Sequence, residues 1–326
     1  MTSSHGRPSI ATVRELAARH SNWGRWGADD QRGTLNHVTA DDVRQAAQLV
    51  RHGQTISMAL PYDEDGPQSG AFNRFNPVRV MTRDGADAIA NTSVRDFYGG
   101  VDRYFRAADD IVIMPLQSGT QWDALSHVMF EERIYNGYSA DQVSSAGALR
   151  NDVRQGSDAM VGRGVLLDVP RALDVPWLDP GFPIGAEDLG RAAAFGKVEV
   201  GRGDFVFVRT GVLAQVRSTG SWGSYAGGDA PGLGLASVDW IGEREIAAIA
   251  TDTWGMEVRP SETPDVLNPL HIILLVHMGL WIGEIFDLEA LADACADDGE
   301  YTFLFCGPPL PFTRAVGSPL NPMAVK

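Results

Sequence analysis

One short stretch, QSGTQWDALSH at residues 117–127, places a carboxylate, an imidazole and two carboxamides close together. Gln117, Gln121 and Asp123 lie at even spacing, so a continuing strand would carry them on one face. His127 follows Asp123 by four residues, after a short turn. An imidazole titrates near neutral pH, and a neighbouring carboxylate can orient it for proton transfer. The stretch therefore predicts an acid–base site at the end of a strand, although polar residues near a turn also cap helices and satisfy buried backbone groups.

Short apolar runs, most of them bounded by Gly, Pro or Asp, predict the buried or half-buried strands that would position this site. They are residues 111–116, 164–169, 205–209, 246–251 and 301–305. Helical patterns occur between several of them, at 186–195, 238–249, 271–278 and 287–296. Thr39 as N-cap and Asp42 at the third helical position predict a further short helix with a capping box. Alternating strands and helices favour an α/β fold class.

One loop stands out between these elements. Residues 218–234 are rich in Gly and Ser and carry Trp222 and Tyr225. The composition predicts a mobile connection, with two interpretations open. The segment is either a surface loop or a lid whose aromatic residues cover a ligand.

Composition restricts the partners of the chain. Its 326 residues are 44% hydrophobic and 21% charged, which is typical of a soluble globular protein with a full core. A formal charge of −15 argues against nucleic acids and anionic membrane surfaces, and no local run of Lys or Arg compensates. We therefore expect a small-molecule substrate, with no nucleic acid or membrane partner and no nucleotide cofactor.

Cysteine usage and the N-terminus favour a cytoplasmic location. Cys295 and Cys306 are the only cysteines and form no metal or disulfide pattern. Residues 1–10 lack the basic start and apolar run of a signal peptide. Residues 270–283 are apolar but shorter than the roughly 20 residues needed to span a bilayer, so we interpret them as buried core.

The stretch at 117–127 resembles the signature of the cyclase-like metal hydrolases, the family of bacterial kynurenine formamidase and isatin hydrolase, which reads H-x-G-T-H-x-D-x-P-x-H. The positions in register are Gly119, Thr120, Asp123 and His127. Gln117 and Gln121 stand where the signature has histidines, and Leu125 replaces the proline. Further blocks look like the family's other blocks in the same order: WGADDQRGTLN, GRGVLLDV, GDFVFVRTG, TDT and GSPLNP.

The resemblance covers nearly the whole chain and implies the family's fold. We expect an α/β, swivelling β/β/α single domain of the kynurenine formamidase type over residues 1–326. Residues 1–40 are expected to form an N-terminal extension that packs on it. The family's usual homo-dimer or homo-tetramer is the expected assembly.

The resemblance also implies roles for particular residues. In the family, the first two histidines and the aspartate of the signature bind one or two divalent cations, usually zinc or manganese. A later His and Glu complete the set, and the last His of the signature is the general acid/base. By position, Gln117 and Gln121 occupy the two histidine places, Asp123 is the ligand carboxylate and His127 the acid/base. The later pair looks like His271 and Glu284.

Helix geometry alone does not bring that later pair together. Thirteen positions at roughly 100° each would put His271 and Glu284 about 220° apart on one continuous helix. Gly279 and Gly283 permit a break, after which residues 280–286 form a strand that returns Glu284 to the site. A carboxylate in such an apolar run is costly unless it is paired or metal-bound. His277 is interpreted as a core or surface histidine.

Replacing two imidazoles by carboxamides should weaken zinc binding steeply. Asp123, His271 and Glu284 with two amide oxygens form an oxygen-rich set that suits manganese or magnesium better. A metal-free site is the alternative. In that case His127 and Asp123 still move protons, and the glutamines donate hydrogen bonds to a substrate carbonyl.

The sequence thus predicts a hydrolase for an amide, ester or lactone bond in a small aromatic or cyclic molecule. His127, Asp123 and Gln121 are the predicted catalytic residues, and the metal, manganese or zinc, would lie at Asp123, His271 and Glu284. The predicted substrate-binding residues are Gln117, Trp122 and Phe130, although either aromatic residue also fits the core. Two alternatives remain open: a metal-independent lyase, isomerase or cyclase, and a catalytically silent binding protein.

Overall fold

The computed structural model describes residues 7–90, 99–100 and 104–326 of the chain. Its strands are β1 (Thr55–Ser57), β2 (Val78–Arg83), β3 (Asp109–Ile113), β4 (Gln121–Asp123), β5 (Val143–Ser144), β6 (Gly147–Ala148), β7 (Val161–Asp168), β8 (Pro183–Ile184), β9 (Phe205–Arg209), β10 (Gly232–Leu233), β11 (Ala248–Thr251), β12 (Trp281–Glu284), β13 (Thr302–Cys306), β14 (Gly317–Pro319) and β15 (Met323–Val325). Its α-helices are α1 (Ile10–Arg19), α2 (Ala40–Ala47), α3 (Gly85–Ala90), α4 (Val169–Ala172), α5 (Ala186–Phe195), α6 (Val212–Thr219), α7 (Val238–Glu243), α8 (Pro269–His271) and α9 (Glu289–Asp298). A π-helix, Ile272–Met278, continues α8.

A mixed nine-stranded sheet forms the centre of the described part of the chain, in the order β1-β15-β13-β7-β9-β11-β12-β4-β14. Its middle strands β7, β9, β11 and β12 run parallel, and helices connect each to the next. Antiparallel strands extend the sheet on both sides. The α/β class predicted from the sequence is confirmed.

The central strands read as continuous apolar runs because helices cover both faces of a parallel sheet. Every residue of β9 and β11 is buried. The run at 205–209 is a strand residue for residue, and those at 164–169, 246–251 and 301–305 each contain most of one. These predicted strands are confirmed.

The run at 111–116 behaves differently from the prediction. Strand β3 ends at Ile113, pairs with β2 in a separate two-stranded ribbon, and is exposed along its whole length. Pro115 lies two residues after the end of the strand, and proline has no N–H to donate to a sheet ladder. The prediction of a buried strand running on through Gln117 is therefore wrong, and only Gln121 and Asp123 share the short strand β4.

The predicted helices are largely present. Helix α5 matches the pattern at 186–195 residue for residue, and α9 overlaps the pattern at 287–296. Helix α2 begins with the predicted capping box, in which Thr39 and Asp42 bond reciprocally. The pattern at 238–249 divides into α7 and the start of β11. None of the described helices combines the length and apolar character needed to cross a membrane.

The N-terminal segment lies along the π-helix. The backbone N–H of Asn22 donates to the His277 carbonyl at 2.9 Å, and Trp23 Nε1 donates to the Val276 carbonyl at 2.7 Å. The Trp23 ring also stacks on the His277 ring at 5.1 Å. Residues 1–6 are outside the described part of the chain, and the division into one domain with an extension at 1–40 stays a prediction.

The Gly/Ser-rich segment at 218–234 is anchored at both of its aromatic residues. Tyr225 is buried and its hydroxyl donates to the Asp252 carbonyl at 2.8 Å. Trp222 Nε1 donates to the Asp65 carbonyl at 2.6 Å. The role of a lid stays a prediction.

Candidate active site

The chain reverses between His271 and Glu284, as the sequence predicts. Gly279 ends the π-helix with a left-handed φ of 67°. A side chain there would also meet the Tyr135 ring at 2.3 Å, so the turn requires glycine. Strand β12 then returns along the sheet, and His271 Nε2 lies 3.1 Å from Glu284 Oε1.

Strand pairing brings the signature residues to the same place. In the antiparallel register of β4 with β12, Gln121 is opposite Glu284 and Asp123 is opposite Ile282. Gln121 Nε2 donates to Glu284 Oε2 at 2.7 Å. Because alternate residues share a face of a strand, Gln121 and Asp123 both reach the side on which Glu284 lies.

The same alternation turns Trp122 away from the site. Its ring is fully buried, packs 5.2 Å from the Phe286 ring, and donates from Nε1 to the Gly307 carbonyl at 2.7 Å. Phe130 lies against the ring of His277 at 6.0 Å. The structure brings neither Trp122 nor Phe130 to the cavity described below, and both pack with the hydrophobic core. Their role in substrate binding stays a prediction.

Three side chains form a cluster suited to a metal ion. One ligand atom each from Asp123, His271 and Glu284 lies within 4.8 Å of the others. Asp123 Oδ1 is 3.7 Å from His127 Nε2, and Asp123 Oδ2 is 3.9 Å from His271 Nε2, both too long for hydrogen bonds. Within the described residues, both carboxylate oxygens of Asp123 and Oε1 of Gln121 are buried without a hydrogen-bond partner.

This donor set fits a divalent cation. A buried carboxylate without partners is costly unless a positive group balances it. Two carboxylates and a carboxamide oxygen with a single imidazole are oxygen-rich, which suits manganese or magnesium better than zinc. The chemistry of the residues, with both oxygens of Asp123 open to a ligand, therefore accommodates the cation that the resemblance implies.

Glu257 is a site residue that the sequence reading missed. Its Oε1 lies 2.5 Å from His271 Nδ1, and its carboxylate accepts the backbone N–H groups of Leu270 and His271 at 3.2 Å each. Glu257 therefore caps the first turn of α8, and it also fixes the orientation of the His271 ring. Glu257 lies between Met256 and Val258. A carboxylate between apolar residues must be paired, and this argument, used above for Glu284, identifies Glu257 as well.

Three buried groups of the site, Asp123, His271 and Glu284, have shifted pKa values. For each of them, burial and the interactions with neighbouring groups act in opposite directions. Burial raises the pKa of Asp123, and the charge of the His127 imidazole opposes this only in part. Burial alone would lower the pKa of His271, but hydrogen bonds to Glu257 and Glu284 hold it well above its ordinary value. Burial would likewise raise the pKa of Glu284, and the hydrogen bond with His271 lowers it nonetheless. In the metal-free site the pairing thus favours the protonated form of His271.

A cavity of about 420 Å³ opens over this cluster. Its polar and aromatic lining includes Arg74, Gln117, His127, Trp254, His271 and Glu284. Nε2 of Gln117 and Nδ1 of His127 are buried and have no hydrogen-bond partner among the described residues. The size suits a small molecule, and the lining offers both donors and a proton carrier. The sequence does not predict Arg74 or Trp254 at the site. Arg74 lies in a polar loop without a motif, and Trp254 follows the TDT block directly.

A family model described as "Putative cyclase" matches residues 56–258, which is more than half of the chain. The chain belongs to the cyclase family. A crystal structure described as a novel cyclase is 38% identical, covers 95% of this chain and 99% of its own, and superposes with a TM-score of 0.86. The family predicted from the signature is therefore confirmed, and the matched region includes Asp123 and His127 but ends before His271.

More distant structures share the fold. Isatin hydrolase A from Labrenzia aggregata, solved with benzyl benzoate, is 19% identical with a TM-score of 0.57, over 86% of this chain and 94% of that one. A predicted metal-dependent hydrolase from Bacillus stearothermophilus is 16% identical with a TM-score of 0.50, over 83% and 97%. A search of curated proteins finds no match. The cyclase-family fold predicted from the sequence is confirmed.

Proposed function

We propose that this cyclase-family protein is a hydrolase that cleaves an amide, ester or lactone bond in a small cyclic or aromatic molecule. The observation that carries the proposal is Asp123, whose two buried oxygens have no partner among the described residues and face His127, His271 and Glu284. A protein maintains so costly a group where it serves chemistry. The hydrolases that share the fold support the reaction class.

Asp123, His271 and Glu284 would hold a divalent cation, with Oε1 of Gln121 as a further oxygen donor. When bound, such a cation supplies Lewis-acid polarisation of a carbonyl oxygen. The oxygen-rich set favours manganese or magnesium over zinc. Glu257 keeps the ring of His271 oriented through its Nδ1.

The remaining chemistry comes from two side chains on the cavity wall. Nε2 of His127 accepts a proton from the attacking water and returns it to the leaving group. Asp123 Oδ1, 3.7 Å away, stabilises the positive charge that forms on that ring. The partnerless Nε2 of Gln117 donates to the substrate carbonyl, where negative charge develops.

A second candidate is a metal-independent lyase, isomerase or cyclase, or a silent binding protein, in the same cavity. One observation favours it: Gln121 Nε2 and His271 Nε2 already contact the two oxygens of Glu284. In that arrangement Glu284 needs no cation, and His127 with Asp123 remains for proton transfer.

Metal content and hydrolysis together test the proposal. Protein purified without chelator and dialysed against Mn²⁺ should retain about one equivalent by elemental analysis, and it should hydrolyse members of a panel of small aromatic esters, anilides and lactones. His127→Gln should lose at least 100-fold in turnover, the lower part of the range for general acid–base catalysis. His277→Gln is the matched control, because that histidine stacks on Trp23 outside the cavity and should leave turnover unchanged.

Absence of stoichiometric metal would contradict the hydrolase as described and favour the second candidate. Metal-free protein that converts substrates without consuming water would indicate a lyase or isomerase. If the wild type turns nothing over and His127→Gln binds panel compounds as the wild type does, binding is the function.

A further inference from the structure

Arg74 is a cation on the cavity wall. Among the described residues no carboxylate lies within ion-pair distance of it, although its charge acts at longer range on Asp123 and Glu284. It borders the cavity beside Gln117 and His127. Its side chain makes no hydrogen bond within the described residues, whereas Arg163, Arg209 and others pair with carboxylates. Arginine presents five N–H donors in a planar fork that matches a carboxylate. A half-buried arginine with free donors at a ligand cavity indicates a negatively charged ligand.

The position of Arg74 is built into the site. Its guanidinium carbon lies 5.2 Å from the centre of the Trp254 ring. Trp254 is buried and donates from Nε1 to Gln68 Oε1 at 3.1 Å, while Gln68 Nε2 donates to the Ser118 carbonyl at 2.7 Å. This cation–π contact attracts the guanidinium to the ring and leaves its N–H donors available to a ligand.

The charges around the cavity make a second cation useful for binding an anion. The cluster contains the carboxylates of Asp123 and Glu284, and the chain as a whole carries a formal charge of −15. The cation that the cluster would hold offsets those two carboxylates, and Arg74 adds positive charge on the cavity wall for an anionic ligand. Arg74 is the one arginine or lysine among the described residues that line the cavity.

We propose that Arg74 binds a carboxylate of the substrate, so that the site selects small aromatic or cyclic molecules that carry a carboxylate beside the reacting bond. This inference deepens the proposed function and rests on it, because the bound molecule is a substrate only if the protein catalyses the proposed reaction. The carboxylate would sit on the Arg74 fork, and the ring against the wall that Trp254 and Phe72 form, whose rings stack at 5.8 Å.

Binding of two matched probes tests the proposal without requiring turnover. The probes are 2-carbamoylbenzoate and benzene-1,2-dicarboxamide, which differ by one carboxylate replaced with a neutral amide. Isothermal titration calorimetry on metal-replete wild type should show at least tenfold tighter binding of the carboxylate, as expected for a charge-assisted arginine contact. Arg74→Gln should reduce that preference to less than twofold, and Arg74→Lys should retain part of it.

Arg150→Gln is the matched control. Its guanidinium carbon lies 5.1 Å from the centre of the Tyr138 ring, a similar stack outside the cavity, so the variant should behave as the wild type. Circular dichroism and thermal unfolding verify that each variant folds. A matching loss of preference in Arg150→Gln would contradict the proposal.

Three further results would overturn it: equal binding of the probes by the wild type, binding of neither probe, or a carboxylate preference that survives Arg74→Gln. These outcomes are separate from the test of the hydrolase. Hydrolysis without Arg74-dependent selection would refute the carboxylate contact alone. Selection without hydrolysis would refute the reaction and leave the contact standing.

Discussion

At the scale of single residues, Asp123 and Asp252 are both fully buried carboxylates with opposite surroundings. Asp252 accepts three hydrogen bonds, two from Thr210 and one from Gly211, all at 2.8 Å. Asp123 accepts none within the described part of the chain. A buried charge with partners supports the fold, whereas one without them weakens it. Asp123 therefore lowers the stability of the fold, and the proposed metal site would account for its presence.

We expect Asp123→Asn to stabilise the metal-free protein while it abolishes metal binding. Burial raises the pKa of Asp123, so its ionised form is disfavoured in the fold and a neutral amide of equal size removes that cost. The gain should be on the order of 1 kcal/mol in the free energy of unfolding at pH 7. Urea unfolding with EDTA measures it, and elemental analysis after dialysis against Mn²⁺ measures the loss of metal.

Asp252→Asn is the matched control and should act in the opposite direction. Its amide NH₂ would face a backbone N–H, so the variant should lose about 1–3 kcal/mol. Destabilisation of Asp123→Asn by a similar amount would show that Asp123 is a structural residue.

Glu257 is expected to control the protonation of His271. Hydrogen bonds to Glu257 and Glu284 hold the pKa of His271 well above its ordinary value despite burial, so removing one charge should lower it. Glu257→Gln tests this in EDTA-treated protein, with the His271 ring followed by nitrogen-detected NMR over a pH titration. Glu243→Gln, an exposed change on α7, is the control. An unchanged pKa of His271 in Glu257→Gln would contradict the positioning role.

The residues that the sequence could predict are those within recognisable motifs. Asp123, His127, His271 and Glu284 were placed by the resemblance, and the structure brings them together. Arg74, by contrast, reaches the cavity only through the packing of distant loops, so no local pattern marks it. Their roles in catalysis and metal binding stay predictions.

At the scale of elements, the pairing of β4 with β12 determines which side chains reach the site. Gly283 lies opposite Trp122, and this leaves room for the indole on the core side of the sheet. A methyl group at Gly283 would lie 2.6 Å from Ala250 Cβ and 2.8 Å from the Trp122 ring. Glycine at this position therefore permits the register that places Gln121 opposite Glu284.

Gly283→Ala should destabilise the protein by about 1–3 kcal/mol, because overpacking a dense core displaces its neighbours. Thermal or urea unfolding measures the loss. Gly190→Ala on helix α5 is the matched control, since nothing lies within 4 Å of a methyl group there. That change should stabilise by roughly 0.5–1 kcal/mol through helix propensity. Equal effects of the two substitutions would show that the contact with Trp122 is unimportant.

The elements that the sequence predicts well are those whose burial matches their apolar pattern. Helix α5 buries one face through Leu189 and Ala192, and every residue of strand β9 is buried, so the spacing of apolar residues identifies both. The run at 111–116 is as apolar as a core strand, yet β3 is exposed in a separate ribbon. Apolar content does not reveal which partner a strand has, and Pro115 was the one local signal of the interruption.

At the scale of the whole molecule, the family is confirmed, whereas assembly and cytoplasmic location stay predictions. The N-terminal segment is joined to the rest of the molecule at His37. His37, in the 3₁₀ turn Gly33–His37, is buried, and its Nδ1 accepts a hydrogen bond from Arg202 Nε at 3.1 Å. Its edge also faces the Trp26 ring at 5.1 Å. A neutral imidazole is thus part of this junction.

The contribution of His37 to the stability of the chain should therefore fall on mild acidification. Burial, aided by the charge of Arg25, lowers the pKa of His37 from 6.5 to about 4. Between those values the unfolded chain binds one more proton at His37 than the folded chain, so its contribution declines as pH falls, by at most about 1.4 kcal/mol per pH unit. Urea unfolding of wild type and His37→Gln at pH 7, 6 and 5 measures this. The free energy of unfolding of the wild type relative to His37→Gln should decrease from pH 7 to pH 5, and parallel curves would show that a protonated His37 is tolerated at the junction.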